Sequence, residues 1–233
     1  MSHRFGREHA REAGKSRLFR TVTEIKICGV KRPEDARTCA ELGVEVLGLN
    51  FWPGTPRHVS VEEARAVLAE WTGTTVAVFV DPDPDEVRRV RAETGIEWVQ
   101  LHGEESPATL RSFQPHAYKA VGVAGAGDVA RARAFGGEHI LLDARVKGAM
   151  PGGTGHAFDW DLAVTLAAER RLTLAGGLHA GNVAEAIRRV RPHRVDTASG
   201  VESAPGVKDA AKLRAFVAAV RAADEGSTRA ENV

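Results

Sequence analysis

Cysteine, long apolar runs and an excess of either charge are all scarce in this chain. Cys28 and Cys39 are the two cysteines among 233 residues, too few for a disulfide-stabilised secreted domain, so a reducing cytoplasm is the simpler environment. The longest apolar runs have the length of a β-strand, and no transmembrane helix is predicted. Basic and acidic side chains number 32 and 31, which indicates no nucleic-acid or membrane surface.

Motifs for common cofactors are also missing. No GxGxxG segment follows the first predicted strand, which argues against a dinucleotide. No group of His, Cys and Asp has the spacing of metal ligands. We therefore predict neither a cofactor nor a metal.

The two ends of the chain differ from the rest. Residues 1–20 are rich in Arg and His but lack the apolar segment of a secretory signal. We interpret them as a basic, flexible tail, and residues 225–233 as a second flexible tail. No break in composition divides residues 21–224, so a single domain is predicted there.

Between the tails, short apolar runs alternate with helical patterns. Strands are predicted at 24–28, 46–51, 75–80, 97–101, 117–121 and 139–142, with the last two beginning near 172 and 195. Helix starts are marked by Pro33, Pro84 and Pro107, and the last helix is predicted over 208–223. Eight β/α units in a chain of this length predict an α/β fold, a single (β/α)8 TIM barrel.

Glycine-rich segments end the seventh and eighth predicted strands. Gly176 and Gly177 follow one strand, and Ser199 and Gly200 follow the other. Neighbouring parallel strands end side by side, glycine lets backbone N–H groups approach an anion, and a short helix near Gly200 would add its positive end. One such pair is most simply a chain turn. Two pairs at the ends of strands 7 and 8 predict a phosphate site.

Functional side chains of such barrels lie where the strands end. Cys28 ends the first strand, where a thiolate could act as a base toward a carbon acid or as a nucleophile. The alternative is a small buried apolar residue, which we assign to Cys39. Asp143 follows an apolar run, and a desolvated carboxyl group is suited to general acid catalysis. Its alternative is a helix or loop cap, as we expect of Asp81.

Three basic side chains lie near the same strand ends. Arg57, on a proline-rich loop, is suited to a planar carboxylate, with a solvated surface arginine as the alternative. Lys26 shares a strand face with Cys28, and we expect it to pair with Asp196 inside the barrel rather than to act in catalysis. For Lys119, in the fifth predicted strand, the same two interpretations are open: an interior ion pair or a catalytic lysine.

The longest predicted loop, residues 144–157, directly follows Asp143. It contains a glycine-rich run that ends at Gly155. Long glycine-rich loops beside strand ends are typical of lids and ligand clamps, which is the role we predict for this one.

Several short motifs occur in order along residues 24–220. They are Lys26-Ile27-Cys28-Gly29, Pro56-Arg57, Val99-Gln100-Leu101-His102-Gly103, Leu141-Leu142-Asp143, Gly152-Gly153-Thr154-Gly155 with Phe158-Asp159-Trp160, Leu174-Ala175-Gly176-Gly177-Leu178 with Asn182-Val183, and Ser199-Gly200-Val201-Glu202. Together they resemble the phosphoribosylanthranilate isomerase family of tryptophan biosynthesis. Departures from the residues common in that family, at Lys31, Thr55 and Thr197-Ala198, remove no proposed catalytic group.

The resemblance implies a cofactor-free Amadori rearrangement of N-(5-phosphoribosyl)anthranilate to 1-(2-carboxyphenylamino)-1-deoxyribulose 5-phosphate. Asp143 would protonate the furanose ring oxygen, Cys28 would remove a proton from the adjacent carbon, and Arg57 would hold the anthranilate carboxylate. The implied substrate-binding residues are Arg57, Gln100, His102, Gly155, Gly176, Gly177, Ser199 and Gly200. The expected partner is thus a small phosphorylated molecule, and we expect a monomer, with a dimer as the alternative.

Three other functions compete with this one. The histidine-pathway aminoaldose isomerase has a second phosphate site after strands 3 and 4, where this chain has Asp81 and the acidic run Glu104-Glu105. Indoleglycerol-phosphate synthase is expected to rely on lysines at strand ends. A barrel that only binds a sugar phosphate would not need both Cys28 and Asp143.

Overall fold

The computed structural model describes residues 22–143 and 160–230, which form a closed barrel of eight parallel β-strands. The strands are β1 (Glu24–Cys28), β2 (Val46–Asn50), β3 (Thr74–Phe79), β4 (Trp98–Leu101), β5 (Ala117–Gly122), β6 (His139–Asp143), β7 (Arg171–Ala175) and β8 (Arg194–Thr197). Each strand pairs with the next one along the chain, and β8 pairs with β1 to close the barrel. The predicted (β/α)8 TIM barrel is confirmed.

Helices alternate with the strands along the chain. They are α1 (Pro33–Glu41), α2 (Val61–Leu68), α3 (Pro84–Thr94), α4 (Pro107–Arg111), α5 (Ala126–Ala134), α6 (Asp161–Glu169), α7 (Val183–Val190) and α8 (Ala210–Ala230). Between β8 and α8 the chain forms a 3-10 turn, Ser199–Val201, and then an antiparallel hairpin of β9 (Glu202–Ala204) and β10 (Val207–Lys208). We call residues 202–208 the C-terminal hairpin.

Polar caps determine where several helices begin. Ser60 accepts a hydrogen bond from the Glu63 backbone N–H, and the Glu63 side chain accepts one from the Ser60 N–H. Asp83 and Ser106 cap α3 and α4 with their side chains. Gly95 ends α3 in the left-handed conformation, with φ of 75°. Because these signals act within a few residues, the sequence alone placed most of the helices.

Apolar side chains pack on both faces of the barrel wall. The larger cluster, which includes Ile25, Leu47 and Phe216, is made of buried side chains of both strands and helices. A smaller cluster consists of alternate strand residues that point to the other face of the wall, including Val76, Tyr118 and Leu141. Burial of both faces explains why the strands appear in the sequence as short continuous apolar runs.

The C-terminal part of the barrel differs from the prediction. Lys208, predicted to start the last helix, lies in β10, and α8 begins at Ala210 and continues beyond Ala223 to Ala230. The helix expected near Gly200 is a single 3-10 turn. Among the described residues, no helix combines the length and apolar character needed to cross a membrane.

Some predicted features fall on other parts of the chain. The basic tail, residues 1–20, and the loop 144–157 with Gly155 lie outside the described residues. Of the predicted C-terminal tail, residues 225–230 are helical and belong to α8.

Candidate active site

Strands β1 and β8 bring Lys26 and Asp196 together inside the barrel. The two residues are partners in the strand register, and Lys26 Nζ lies 2.6 Å from Asp196 Oδ2. Burial lowers the pKa of Lys26, but the attraction of Asp196 outweighs it, and the pKa is raised above its usual value. The predicted interior ion pair is confirmed.

Cys28 ends β1 directly above this ion pair, and its side chain is partly exposed. Its Sγ occupies space left by a glycine on β2, because a Cβ on Gly48 would lie 2.8 Å from the sulfur. Burial raises the pKa of the Cys28 thiol, while the positive charges of Lys26 and Lys208 lower it in part. The resting group is therefore a thiol whose thiolate form is favoured by two nearby ammonium groups.

Cys39 has a different environment. It is fully buried in α1, and burial raises the pKa of its thiol to about 12. The interpretation of Cys39 as a small buried apolar residue is confirmed.

Asp143 ends β6 and contacts a chain of hydrogen-bonding side chains from β4 and β5. The buried Tyr118 hydroxyl donates to Gln100 Oε1 at 3.0 Å, and Gln100 Nε2 lies 3.3 Å from His102 Nδ1. His102 Nε2 lies 3.3 Å from Asp143 Oδ2. Since the amide nitrogen of Gln100 faces Nδ1, that atom accepts, and the ring proton of neutral His102 lies on Nε2, toward Asp143. Gln100 and His102, predicted to bind substrate, thus also orient Asp143.

Arg57 lies across the end of β1. A Cβ on Gly29, whose φ is 69°, would come within 2.5 Å of Arg57 Cδ, so only glycine leaves room for this side chain. The guanidinium donates from Nε and Nη2 to Glu202 Oε1 and Oε2, at 2.9 and 2.6 Å. Its side chain is 24% exposed. The solvated surface arginine, the alternative interpretation, does not describe this residue.

Lys208 completes the group around Glu202. Its ammonium, with a side chain 0% exposed, donates to Glu202 Oε1, to the Cys28 carbonyl and to the Ala198 carbonyl, at 2.9, 2.6 and 3.2 Å. The Arg57 hydrogen bonds and the charge of Lys208 lower the pKa of Glu202, although burial alone would raise it. The C-terminal hairpin is therefore joined by charged groups to the end of β1.

The glycine-rich ends of β7 and β8 lie against each other. A Cβ on Gly200 would be 2.0 Å from the Leu178 carbonyl oxygen, and the Thr197 hydroxyl donates to that same oxygen at 2.7 Å. Gly176 and Gly177 have φ of 97° and 64°, which glycine adopts readily. Among the described residues, no protein group accepts from the backbone N–H of Gly177, Ser199 or Gly200.

The ends of β3 and β4 are different. The Asp81 carboxylate accepts from the Glu104 N–H at 2.7 Å, and Glu105 accepts from the N–H groups of Asp81 and Gly103. Lys119 Nζ lies 2.9 Å from Glu105 Oε2 and is buried, so its structural interpretation holds. Because carboxylates of the chain itself accept hydrogen bonds from these N–H groups, the N–H groups are not available to bind a second phosphate.

Sequence reasoning missed three side chains of this region: Tyr118, Glu202 and Lys208. Glu202 stood in a recognised motif without a role, and Lys208 was placed in a helix. Residues 22–143 and 160–230 contain no group of three or more His, Cys, Asp or Glu side chains that could hold a metal ion.

Comparisons with known proteins agree with this geometry. The family model of N-(5'-phosphoribosyl)anthranilate (PRA) isomerase matches residues 25–219. An N-(5'-phosphoribosyl)anthranilate isomerase of Myxococcus xanthus is 44% identical over 202 residues, which cover 84% of this chain and 95% of the relative. The crystal structure of phosphoribosyl anthranilate isomerase from Thermotoga maritima has 37% identity and a TM-score of 0.79, with 86% of this chain and 99% of that one covered.

A further similar structure contains a ligand. It is a phosphoribosyl anthranilate isomerase in complex with reduced 1-(o-carboxyphenylamino)-1-deoxyribulose 5-phosphate, with 36% identity and a TM-score of 0.76. It covers 86% of this chain, and this chain covers 99% of it. Since the family match spans nearly the whole barrel, the chain belongs to the N-(5'-phosphoribosyl)anthranilate (PRA) isomerase family.

Proposed function

We propose that this protein isomerises N-(5'-phosphoribosyl)anthranilate to 1-(2-carboxyphenylamino)-1-deoxyribulose 5-phosphate, a step of tryptophan biosynthesis. One observation carries the proposal: Cys28, Asp143 and the glycine-rich ends of β7 and β8 share one end of a barrel of this family. The complex of a similar isomerase with the reduced product supports a small phosphorylated ligand. The cytoplasm is the proposed location and a monomer the proposed state.

In the first chemical step, Asp143 acts as the general acid. It gives its proton to the furanose ring oxygen, the bond between that oxygen and C1 breaks, and the anthranilate nitrogen forms a double bond to C1. His102 Nε2, 3.3 Å from Asp143 Oδ2, holds the carboxyl group in place for this transfer. The hydrogen bonds from Tyr118 to Gln100 and between Gln100 and His102 keep the His102 ring in its orientation.

In the second step, Cys28 acts as the general base. Its thiolate removes the proton from C2, the electron pair forms a C1–C2 double bond, and the C1–N double bond becomes single. The resulting enol tautomerises to the ketone, as C1 gains a proton and the C2 hydroxyl loses one. Because the substrate and the product are isomers, no oxidant, reductant or cofactor is consumed.

The remaining residues bind the two anionic ends of the substrate. Arg57 binds the anthranilate carboxylate, and the N–H groups of Gly176, Gly177 and Gly200, with the Ser199 hydroxyl, bind the phosphate. Gly155 belongs to the predicted ligand clamp of the loop 144–157. His102 acts at the substrate through its contact with Asp143, and Gln100 acts through His102.

The loss of phosphoribosylanthranilate fluorescence tests this function, with purified protein and no added metal. Turnover is expected in the wild type, and Cys28→Ala should lower it by about 10³-fold or more while leaving product binding nearly intact. Cys39→Ala is the matched control, because it removes a thiol that is fully buried in α1. Saturable product binding without turnover in the wild type would instead show a binding barrel, and normal turnover of Cys28→Ala would refute its role.

A further inference from the structure

Two cations share one carboxylate in the group that joins Arg57, Glu202 and Lys208. Arg57 contributes two N–H groups to Glu202, and Lys208 a third, while the Gly206 backbone N–H donates to Glu202 Oε1 at 3.2 Å. The Glu202 carboxylate is thereby saturated with donors. Arg57 and Lys208 carry two positive charges and Glu202 carries one negative charge, so the group has a net charge of +1.

The geometry of the guanidinium decides where that charge can act. A guanidinium has five N–H bonds, and more than one of its edges can donate two parallel hydrogen bonds to a carboxylate. Glu202 occupies the edge formed by Nε and Nη2 of Arg57. In the described part of the chain no acceptor contacts Nη1, so the edge formed by Nη1 and Nη2 can bind a second carboxylate.

Three further contacts fix this arrangement relative to Cys28. The methylene stem of Arg57 packs on Gly29, the residue after Cys28. Lys208 donates to the Cys28 carbonyl at 2.6 Å. The turn of the C-terminal hairpin also packs closely on the Arg57 loop, because a Cβ on Gly206 would lie 3.2 Å from the Pro56 carbonyl oxygen.

We propose that Glu202, held by Lys208, is a positioning residue. It binds one edge of the Arg57 guanidinium and thereby directs the other edge toward the substrate carboxylate beside Cys28. The inference rests on the proposed role of Arg57. It assigns the C-terminal hairpin a part in substrate recognition: the hairpin sets the orientation of a carboxylate-binding arginine on a different loop. Glu202 itself does not touch the substrate.

Two stable inhibitors separate this role from general stabilisation of the fold. One is reduced 1-(2-carboxyphenylamino)-1-deoxyribulose 5-phosphate, and the other is the same compound without the carboxylate. Glu202→Gln removes the charge and one acceptor atom while keeping the size of the side chain. It should weaken the first inhibitor by about tenfold and leave the second unchanged, since an arginine that turns away misplaces only the carboxylate contact.

Kinetics gives an independent measure of the same effect. In Glu202→Gln, KM for the substrate should rise by about tenfold with little change in kcat, because the lost contact is with a part of the substrate that does not react. Adding Glu202→Gln to Arg57→Lys should raise KM no further, because Glu202 acts through the guanidinium. Glu202→Asp, which keeps the charge on a shorter side chain, should show the same selectivity to a smaller degree and serves if Glu202→Gln does not fold.

The opposite end of the barrel offers a matched control. Arg194 donates from Nε and Nη2 to Glu24, so Glu24→Gln breaks a similar pair of side chains far from the mouth. It should leave KM and both inhibition constants unchanged, whatever its effect on Tm.

Each failure has its own signature. An unchanged KM in Arg57→Lys would refute the carboxylate-binding role of Arg57. A raised KM in Arg57→Lys, together with unchanged inhibitor binding in Glu202→Gln, would refute the positioning role of Glu202 alone. Equal weakening of both inhibitors in Glu202→Gln would show that the hairpin only stabilises the fold.

Discussion

Similar ion pairs occur at both ends of the barrel, in different settings. Near the carboxyl ends of the strands, Arg57 and Glu202 lie beside Cys28, and the arginine side chain is 24% exposed. At the amino ends, Arg194 pairs with Glu24, and its side chain is 9% exposed. The arginine near the mouth is thus the more exposed of the two, whereas the other pair joins β1 to β8 at the seam of the barrel.

The histidines also differ between the two ends of the barrel. His102, at the end of β4, bonds to Asp143 near the mouth. His139, at the start of β6, has its ring 5.0 Å from that of Trp98 and 6.0 Å from that of His193. Burial, aided by the charge of Arg194, lowers the pKa of His139 to about 4. Residue type alone therefore does not distinguish these histidines; their positions in the barrel and their contacts do.

The largest expected effect is that of Asp143→Asn, at the mouth. An amide cannot give a usable proton to the ring oxygen, so kcat should fall by roughly 10²- to 10⁴-fold with product binding retained. Steady-state kinetics and a product-binding titration measure both quantities. Asp83→Asn is the control, because asparagine also caps α3. A mild loss of kcat that is the same at every pH would contradict the role of Asp143.

The pH dependence of kcat/KM tests the base. Only the thiolate of Cys28 accepts a proton, and burial raises the pKa of this thiol above its usual value. In the pH range where Asp143 stays protonated and the thiol is not yet ionised, kcat/KM should rise about tenfold per pH unit, because the thiolate fraction does. The residual activity of Cys28→Ala should lack this rise. A rise of the same slope in Cys28→Ala would refute the role of Cys28 as the base.

The same substitution at the two histidines sharpens the comparison further. His102→Leu removes the contact with Asp143 and should lower kcat/KM by about tenfold, since the acid loses its orientation. His139→Leu, among the aromatic rings, should leave kcat/KM unchanged. Kinetics on both variants, with circular dichroism to confirm folding, would decide. Equal losses in the two variants would mean that both act through stability.

The smallest effect concerns stability in acid. An unfolded histidine has a pKa of about 6.5, and that of folded His139 is lowered to about 4, so between these values the unfolded chain binds more protons. This contribution to stability is present above pH 6.5 and declines as the pH falls toward 4. Tm of the wild type should therefore drop over this range, and His139→Leu should drop less. An identical decline in both would assign the loss to other groups.

The fold was largely predictable because its signals are local. Strands β1, β5 and β6 begin at the residues predicted for them, since apolar runs and flanking turns mark them directly. The pairing of Lys26 with Asp196 followed from strand alternation and from the rule that the last strand of a barrel lies beside the first. The predicted end of α8, at Ala223, was wrong: the helix continues through Gly226 to Ala230, although glycine disfavours a helix interior.

The partners of the site residues were less predictable. Arg57 and Glu202 are separated by 145 positions in the chain. Their contact depends on the C-terminal hairpin, which was not predicted and of which only Lys208 was assigned to the last helix. The family resemblance implied that Gln100 and His102 bind substrate, but it does not tell whether these side chains also bond to Asp143 and Tyr118. Such contacts depend on rotamers and on neighbouring strands, which only the folded structure defines.

The closure of the barrel has a consequence for synthesis of the chain on the ribosome. The Thr23 hydroxyl donates to Asp224 across 201 positions, and Lys26 reaches Asp196 across 170. Cys28 is thus translated well before Asp196 and Lys208, the residues that complete its surroundings. Contacts of such long range form late. The surroundings of Cys28 in a nascent chain are therefore incomplete until residues 196–208 have been synthesised.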